Sequence, residues 1–212
     1  MFVVSRIKRV IGELYSFFTM PLRGTRCGKG CVLSFCDGHS ITGKGNMLSF
    51  GDGCQLNNCR FVIKGNRNKI VVGNRCRMAG VTFWISGDDN EIKVGEDTTA
   101  GSNTQFAALE GTTISIGSDC MFSHSIQIRT SDSHSIVNLQ GKRLNLAKNV
   151  IIGNHCWIGM QSLIMKGASL ADNSVLAARS TLNKPFEESN CIVGGAPAKI
   201  LMKDINWDRK KL

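Results

Sequence analysis

Apolar residues stand six apart in Ile152, Ile158, Ile164, Leu170, Leu176 and Leu182, without interruption. Helical stripes recur at three and four residues and half-buried strands at two, so a sustained period of six predicts short straight segments with a corner after each. The chain is expected to coil as a three-sided prism. Four residues after each of the first five anchors stands a small side chain: Cys156, Ser162, Ala168, Ser174 and Ser180. That position is expected to be wedged inside a corner.

The same register runs backwards in packets of three: Phe50, Leu56, Val62; Val72, Met78, Trp84; Val94, Ala100, Phe106; and Ile116, Phe122, Ile128. Packet starts are 22 residues apart, one coil of 18 plus a four-residue outward turn. Gly51, Gly73, Gly95, Gly117 and Gly153 each follow a first anchor, as a tight bend or a close backbone approach requires. Phe61 to Gly73 (FVIKGNRNKIVVG) and Phe83 to Gly95 (FWISGDDNEIKVG) are visibly copies. In both, and in a worn earlier copy, a glycine precedes Asn46, Asn68 or Asn90 by three residues; Asn suits a left-handed turn or a stacked ladder. The copy around Phe106 lacks both residues, so its turn is expected to differ.

Coils bury their faces against neighbours, so both ends need covers. Val3, Ile7, Val10, Leu14 and Phe17 recur at helical spacing with Arg6, Lys8 and Arg9 between them, predicting an amphipathic cap over residues 1–24. Its charges argue against a spanning helix or a signal peptide and leave surface contact with a membrane open. A single coiled domain over 25–202, carrying an extended loop at 129–149, and a tail over 203–212 complete the predicted organisation. Short helical segments are expected at both termini of this all-β chain.

Composition alters the picture in two places. Of nine cysteines, Cys54, Cys76, Cys120 and Cys156 share one register position with Thr98, which marks them as buried fillers. No pair has Cys-x-x-Cys zinc spacing and the total is odd, so no metal is expected and a reducing cytoplasm is, at most touching the inner face of the membrane. The net charge of +10 favours anionic partners. With one tyrosine and dispersed basic residues there is no platform for stacking bases, so no nucleic acid is expected.

Between Ile128 and Ile152 the step from one packet to the next lengthens from 22 to 36 residues. The excursion, RTSDSHSIVNLQGKRLNLAKNV, holds His134 with Arg129, Ser131 and Asp132 nearby and then Lys142 and Arg143. Histidine titrates near neutrality, which suits it to take a proton from a hydroxyl.

These features, with the block IIGNHCWIG and the closing GGAPAKIL, resemble the left-handed parallel β-helix, or hexapeptide-repeat, acyltransferase family over residues 27–202. Its sugar and polysaccharide O-acetyltransferases, which carry a loop histidine a little over twenty residues before the Trp of Trp-Ile-Gly, look most similar. The resemblance implies acetyl-coenzyme A as donor, a saccharide acceptor of capsule or lipopolysaccharide type, and a homotrimer with active sites between adjacent prisms. It implies His134 as the base, with Asp132 or a carbonyl fixing its tautomer, and Asn103 at an active-site position shared with the acceptor, which Arg129 and Ser131 would also face. Trp157 would face the oxyanion or wall the cofactor. Gly159, Ala178, Ser180, Lys184 and Lys199 would line the cofactor. Met160 and Arg179 depart from the family's usual residues. His155 is expected to be solvent-facing and structural. Two other readings stand beside this one: a non-catalytic β-helix scaffold, and a γ-class carbonic anhydrase with zinc on His124, His134 and His155.

Overall fold

A computed structural model describes residues 25–210, and within them the chain is a parallel β-solenoid without helix. The predicted N-terminal cap lies outside the described residues. Three sheets form the walls. Face A stacks eight strands from Thr25–Cys27 to Pro185–Phe186, and face C stacks seven from Asp37–Thr42 to Thr181–Leu182. Face B stacks eight parallel strands from Val32–Ser34 to Ile192–Gly195, then turns back antiparallel through Ala198–Met202, so the closing motif forms the last hairpin. The chain visits A, B and C in turn. Register advances by 22 residues in the early coils (Ile70 beside Ile92 beside Ile114), by 36 across the excursion (Ile116 beside Ile152) and by 18 after it (Ile152 beside Leu170).

All six late anchors are buried, and so are ten of the earlier twelve. Val62 and Trp84 are the exceptions. In their coils the B–C corner is one residue shorter: the left-handed corner residue is Asn58 or Gly80, two after the anchors Leu56 and Met78. In later coils Asn103, Ser125 and Gln161 fall three after their anchors. A shift of one reverses every side chain on a strand. Phe61, Ile63, Phe83 and Ile85 therefore fill the interior while Val62 and Trp84 turn outward.

The long third-face strands enclose more space, and aromatics fill it. Phe50, Phe61, Phe83, Phe106 and Phe122 form a continuous column with successive ring centroids 5.1–5.7 Å apart. In the 18-residue coils Ile158, Ile164, Leu170, Leu176 and Leu182 suffice.

The corner from face A to face B is tight. A Cβ added to Gly95 would lie 2.5 Å from the carbonyl carbon of Gly117, and one on Gly73 would lie 2.6 Å from the amide of Glu96. Close approach, rather than dihedral freedom, demands these glycines. Beside them Cys54, Cys76, Thr98 and Cys120 each donate a thiol or hydroxyl to the carbonyl of the glycine in the next coil (Gly73, Gly95, Gly117 and Gly153) at 2.9–3.1 Å. Thiol and hydroxyl do one job here, which explains the interchange of Cys and Thr.

The asparagines form the ladder. Asn46 Oδ1 accepts from the amide and side chain of Asn68, Asn68 Oδ1 accepts likewise from Asn90, and Asn90 Oδ1 accepts from the Thr112 amide, where the ladder ends. The left-handed residues of these turns are instead Gly65, Arg67, Gly87 and Asp89. Outside, Arg67 grips Asp89 of the next coil with two bonds, and Arg75 grips Asp97.

Among the described residues the tail has no helix. Residues 203–210 run back along the A–B corner as a strap. Ile205 exchanges bonds with Asn190, Trp207 stacks on His155 with centroids 4.3 Å apart, and Arg209 binds Asp119 and Thr99. Trp207 also donates its indole N–H to the His155 carbonyl at 2.8 Å.

The corner geometry sets an expectation for Cys76. Cys76→Ser keeps a donor to Gly95 and should cost under about 1 kcal/mol, whereas Cys76→Leu overpacks a fully enclosed corner and should cost about 1–3 kcal/mol. Urea unfolding of the two variants measures the difference; equal midpoints would move Cys76 out of the corner.

Candidate active site

The excursion leaves the prism at the C–A corner, after Gln127–Arg129 and before Val150–Ile152. It folds as a short hairpin arm, with Leu144 donating to the Ile136 carbonyl at 2.8 Å and Asn138 to that of Lys142 at 2.9 Å. Ionic and amide contacts fasten its base. Arg143 binds Glu110 through both terminal nitrogens at 2.6 and 3.0 Å, and Lys166, from the next coil, pairs with Asp132. Asn145 donates to Asp132 at 2.7 Å and to the His134 carbonyl at 2.8 Å. Ser131 is buried and donates to Glu110, while Arg129 lies over the Trp84 ring at 5.6 Å and donates to Ser133 at 3.3 Å.

These contacts hold both carboxyls ionised. The Arg143 guanidinium, followed by the Ser131 hydroxyl, lowers Glu110 to about 2; Lys166, followed by Asn145, lowers Asp132. His134 itself is exposed, and its ring has no hydrogen bond among the described residues. Within the chain Asp132 makes no hydrogen bond to the imidazole among the described residues; its Oδ2 receives Asn145 and Lys166 instead. Ser131 is likewise an anchor for the arm, buried against Glu110.

A second feature lies on face B beside the B–C corner. Ser123, His124, Trp157, Gly159, Met160 and Ala178 contribute to a largely apolar groove of about 380 Å³. Gly159 is needed for the coil above, since its Cβ would lie 2.4 Å from the Ala178 amide. Asn103 stands at the same corner in left-handed geometry (φ 58°) and donates to Ser125 at 3.2 Å. Ser180 is buried and accepts from the Gly195 amide at 3.0 Å, so its hydroxyl closes the final hairpin instead of facing the groove. Lys199 is exposed on that hairpin, and Lys184 stands at the C–A corner with its ammonium 5.4 Å over Phe186. Arg179 donates to Gln161 at 2.8 Å along the B–C corner.

Within one chain the arm and the groove occupy different corners. The histidines are separated too: His124 at B–C, His134 at C–A and His155 at A–B. His155 is not solvent-facing, since Asp119 meets its Nδ1 at 2.6 Å, the Trp207 carbonyl meets its Nε2 at 3.1 Å and the Trp207 ring covers it. Its role is to fasten the strap. Among the described residues no group of three or more His, Cys, Asp or Glu side chains is arranged to hold a metal, so the zinc reading has no support from a single chain.

Sequence reasoning named His124 only as a zinc ligand, although adding the 36-residue step to its number gives Met160 and adding 18 more gives Ala178, both in the groove. It also passed over Glu110, Asn145 and Lys166, whose significance lies in contacts between distant segments.

Residues 149–184 match the bacterial transferase hexapeptide model (six repeats). The crystal structure of a polysialic acid O-acetyltransferase, OatWY, superposes with a TM-score of 0.70 at 30% identity, covering 89% of this chain and 92% of that one. The chain belongs to the hexapeptide-repeat acyltransferase family. Another member, the polysialic-acid-specific acetyltransferase NeuO, superposes at TM-score 0.66 and 25% identity over 88% of this chain and 90% of that one. Among curated hexapeptide-repeat proteins, a polysialic acid O-acetyltransferase of Neisseria meningitidis is 36% identical over 93 residues, 43% of either chain. One from Escherichia coli O1:K1 is 35% identical over 92 residues, 43% of this chain and 30% of that protein. These alignments thus span less than half of the curated relatives' length.

The arm's anchor is testable by titration. The Glu110 carboxyl, followed by NMR, should titrate near 2, and Arg143→Ala should return it toward the ordinary value of about 4.3. Because the folded value is the depressed one, this contribution to arm docking is complete above the unfolded-state value and is lost as pH falls through about 2. A Glu110 midpoint unmoved by Arg143→Ala would remove the guanidinium as its cause.

Proposed function

We propose that this chain is an acetyl-coenzyme-A-dependent O-acetyltransferase that modifies a hydroxyl of an acidic cell-surface polysaccharide. The observation that carries the reading is the His134 arm, the long interruption of the described coil, in a chain that superposes on a polysialic acid O-acetyltransferase over 89% of its length. The prism winds with the left hand of the family. The net charge of +10 suits a polyanionic acceptor, and the free thiols suit a reducing compartment.

The separation of arm and groove supports a site completed by a second copy. Ile136, Val137, Leu139, Leu144 and Leu146 are all exposed on the arm, Leu139 completely. Their burial against the next prism in a homotrimer would bring His134 to that chain's groove beside Trp157, His124 and Asn103. Acetyl-coenzyme A is the donor in this reading, its thioester arm lying over Gly159 and Ala178, and Lys199 is close enough to the late coils to meet its phosphates. His134 removes the acceptor proton as the oxygen attacks the thioester carbonyl and the coenzyme A thiolate leaves, without a covalent enzyme intermediate. The general base accounts for roughly 10²- to 10⁴-fold in rate.

Thiol release from acetyl-coenzyme A in the presence of polysialic acid or another acidic glycan tests the reaction. His134→Ala should lower kcat by roughly 10²- to 10⁴-fold. Mixed trimers of His134→Ala and Trp157→Ala chains should recover activity that neither variant has alone, since some interfaces then pair an intact arm with an intact groove. Failure of mixing to restore activity, with trimers verified by light scattering, would place the whole site within one chain.

A further inference from the structure

Asn145 has every hydrogen-bonding capacity of its side chain occupied. Nδ2 donates to Asp132 Oδ2 at 2.7 Å and to the His134 carbonyl at 2.8 Å; Oδ1 accepts from the Ile136 amide at 2.7 Å and from Arg143 Nε at 3.4 Å. Its main-chain carbonyl accepts from Lys166 at 3.0 Å and from Arg143 Nη2 at 3.3 Å. One amide thus connects both strands of the arm to the two ion pairs that hold the arm on the prism.

The backbone around His134 is constrained from the other side as well. Ser133, directly before it, is in the left-handed region at φ 66°, which a residue with a side chain adopts only when its surroundings enforce it. The Ser133 amide donates to Ser131 Oγ at 2.9 Å and its hydroxyl accepts from Arg129. His134 is thereby held on one side by the Ser131–Ser133 turn and on the other by a single amide donor to its carbonyl. Among the described residues its ring has no hydrogen-bond partner, so the backbone fixes where the imidazole starts.

We propose that Asn145 is the positioning residue for His134, setting the location of the base through the His134 carbonyl while Asp132, Lys166, Glu110 and Arg143 hold Asn145 in place. This rests on the reading of His134 as the general base. Displacement of a catalytic group by about 1 Å costs up to roughly 10²-fold in rate. Asn145→Ala should therefore lower kcat by about 10- to 100-fold, while the KM for acetyl-coenzyme A stays within about twofold, because the groove belongs to another corner.

A charge-exchanged variant separates positioning from simple anchoring. In Asp132→Asn combined with Asn145→Asp, residue 132 donates to residue 145 and Lys166 gives up Oδ2 of residue 132 for the charge now on residue 145, whose main-chain carbonyl it already meets at 3.0 Å, but the new carboxylate has no proton to offer the His134 carbonyl. The measurements are kcat and KM on trimeric, trypsin-resistant protein, with His134→Ala assayed in parallel. Low kcat in both the Asn145→Ala and the exchanged variants, at near-normal KM, supports the proposal. Activity within about threefold of the unmodified protein in Asn145→Ala, or recovery to that level in the exchanged variant, overturns it. If His134→Ala also retains activity, the general-base reading falls; if only His134→Ala is inactive, that reading stands and the positioning role alone is lost.

Discussion

Coil-to-coil contact at the A–B corner is the constraint on which the molecule depends. Backbone meets backbone there with no room for a Cβ, and the small residue beside each glycine turns its thiol or hydroxyl onto the carbonyl of the following coil. This contact fixes the rise between coils. Once it is fixed, parallel strands pair on all three faces, and the buried amides of the Asn ladder are satisfied only because their neighbours stand one coil away. A buried amide without such a partner would cost about 1–3 kcal/mol. Solenoid stability is a sum of such neighbour terms, and this corner supplies one from the coil of Cys54 to that of Cys120.

The architecture was legible because it repeats. Six-residue spacing, glycines after first anchors and the shared position of Cys54, Cys76, Thr98 and Cys120 each describe one event many times over, so individual exceptions did not obscure them. What escaped was the local phase. A corner shortened by one residue sends Trp84 outward and Phe83 inward, yet both are aromatic and the apolar pattern looks the same with either in the core. The C-terminal segment misled in another way. A short helical segment was expected there, but Trp207 finds a flat partner in His155 and Arg209 a carboxylate in Asp119, and these contacts draw the described part of the tail out along the corner.

The candidate site was legible in part for the same reason. An interruption stands out against a strict repeat, so the arm and His134 were readable. The partners of the neighbouring residues were not, because Glu110, Lys166 and Asn145 meet only when three separate segments fold together. Proximity in sequence linked Asp132 to His134, whereas in space Asp132 belongs to Lys166 and Asn145. The Ser180 hydroxyl points inward, to the Gly195 amide, because a corner residue in the register is interior whatever its polarity.

The strap gives the two halves of the solenoid different evolutionary freedom. From Ile205 at Asn190 to Arg209 at Asp119 it passes the corner residues of successive coils, and its span is set by the number of levels between those points. Gain or loss of a coil there would carry His155 or Asp119 out of reach of Trp207 and Arg209. Among the described residues the strap makes no hydrogen bond to the 22-residue copies before Thr99, so duplication or deletion of whole copies there leaves strap, groove and arm in register. Length variation among relatives of this chain should accordingly concentrate in the N-terminal coils, where the prism can lengthen without disturbing the part that does chemistry.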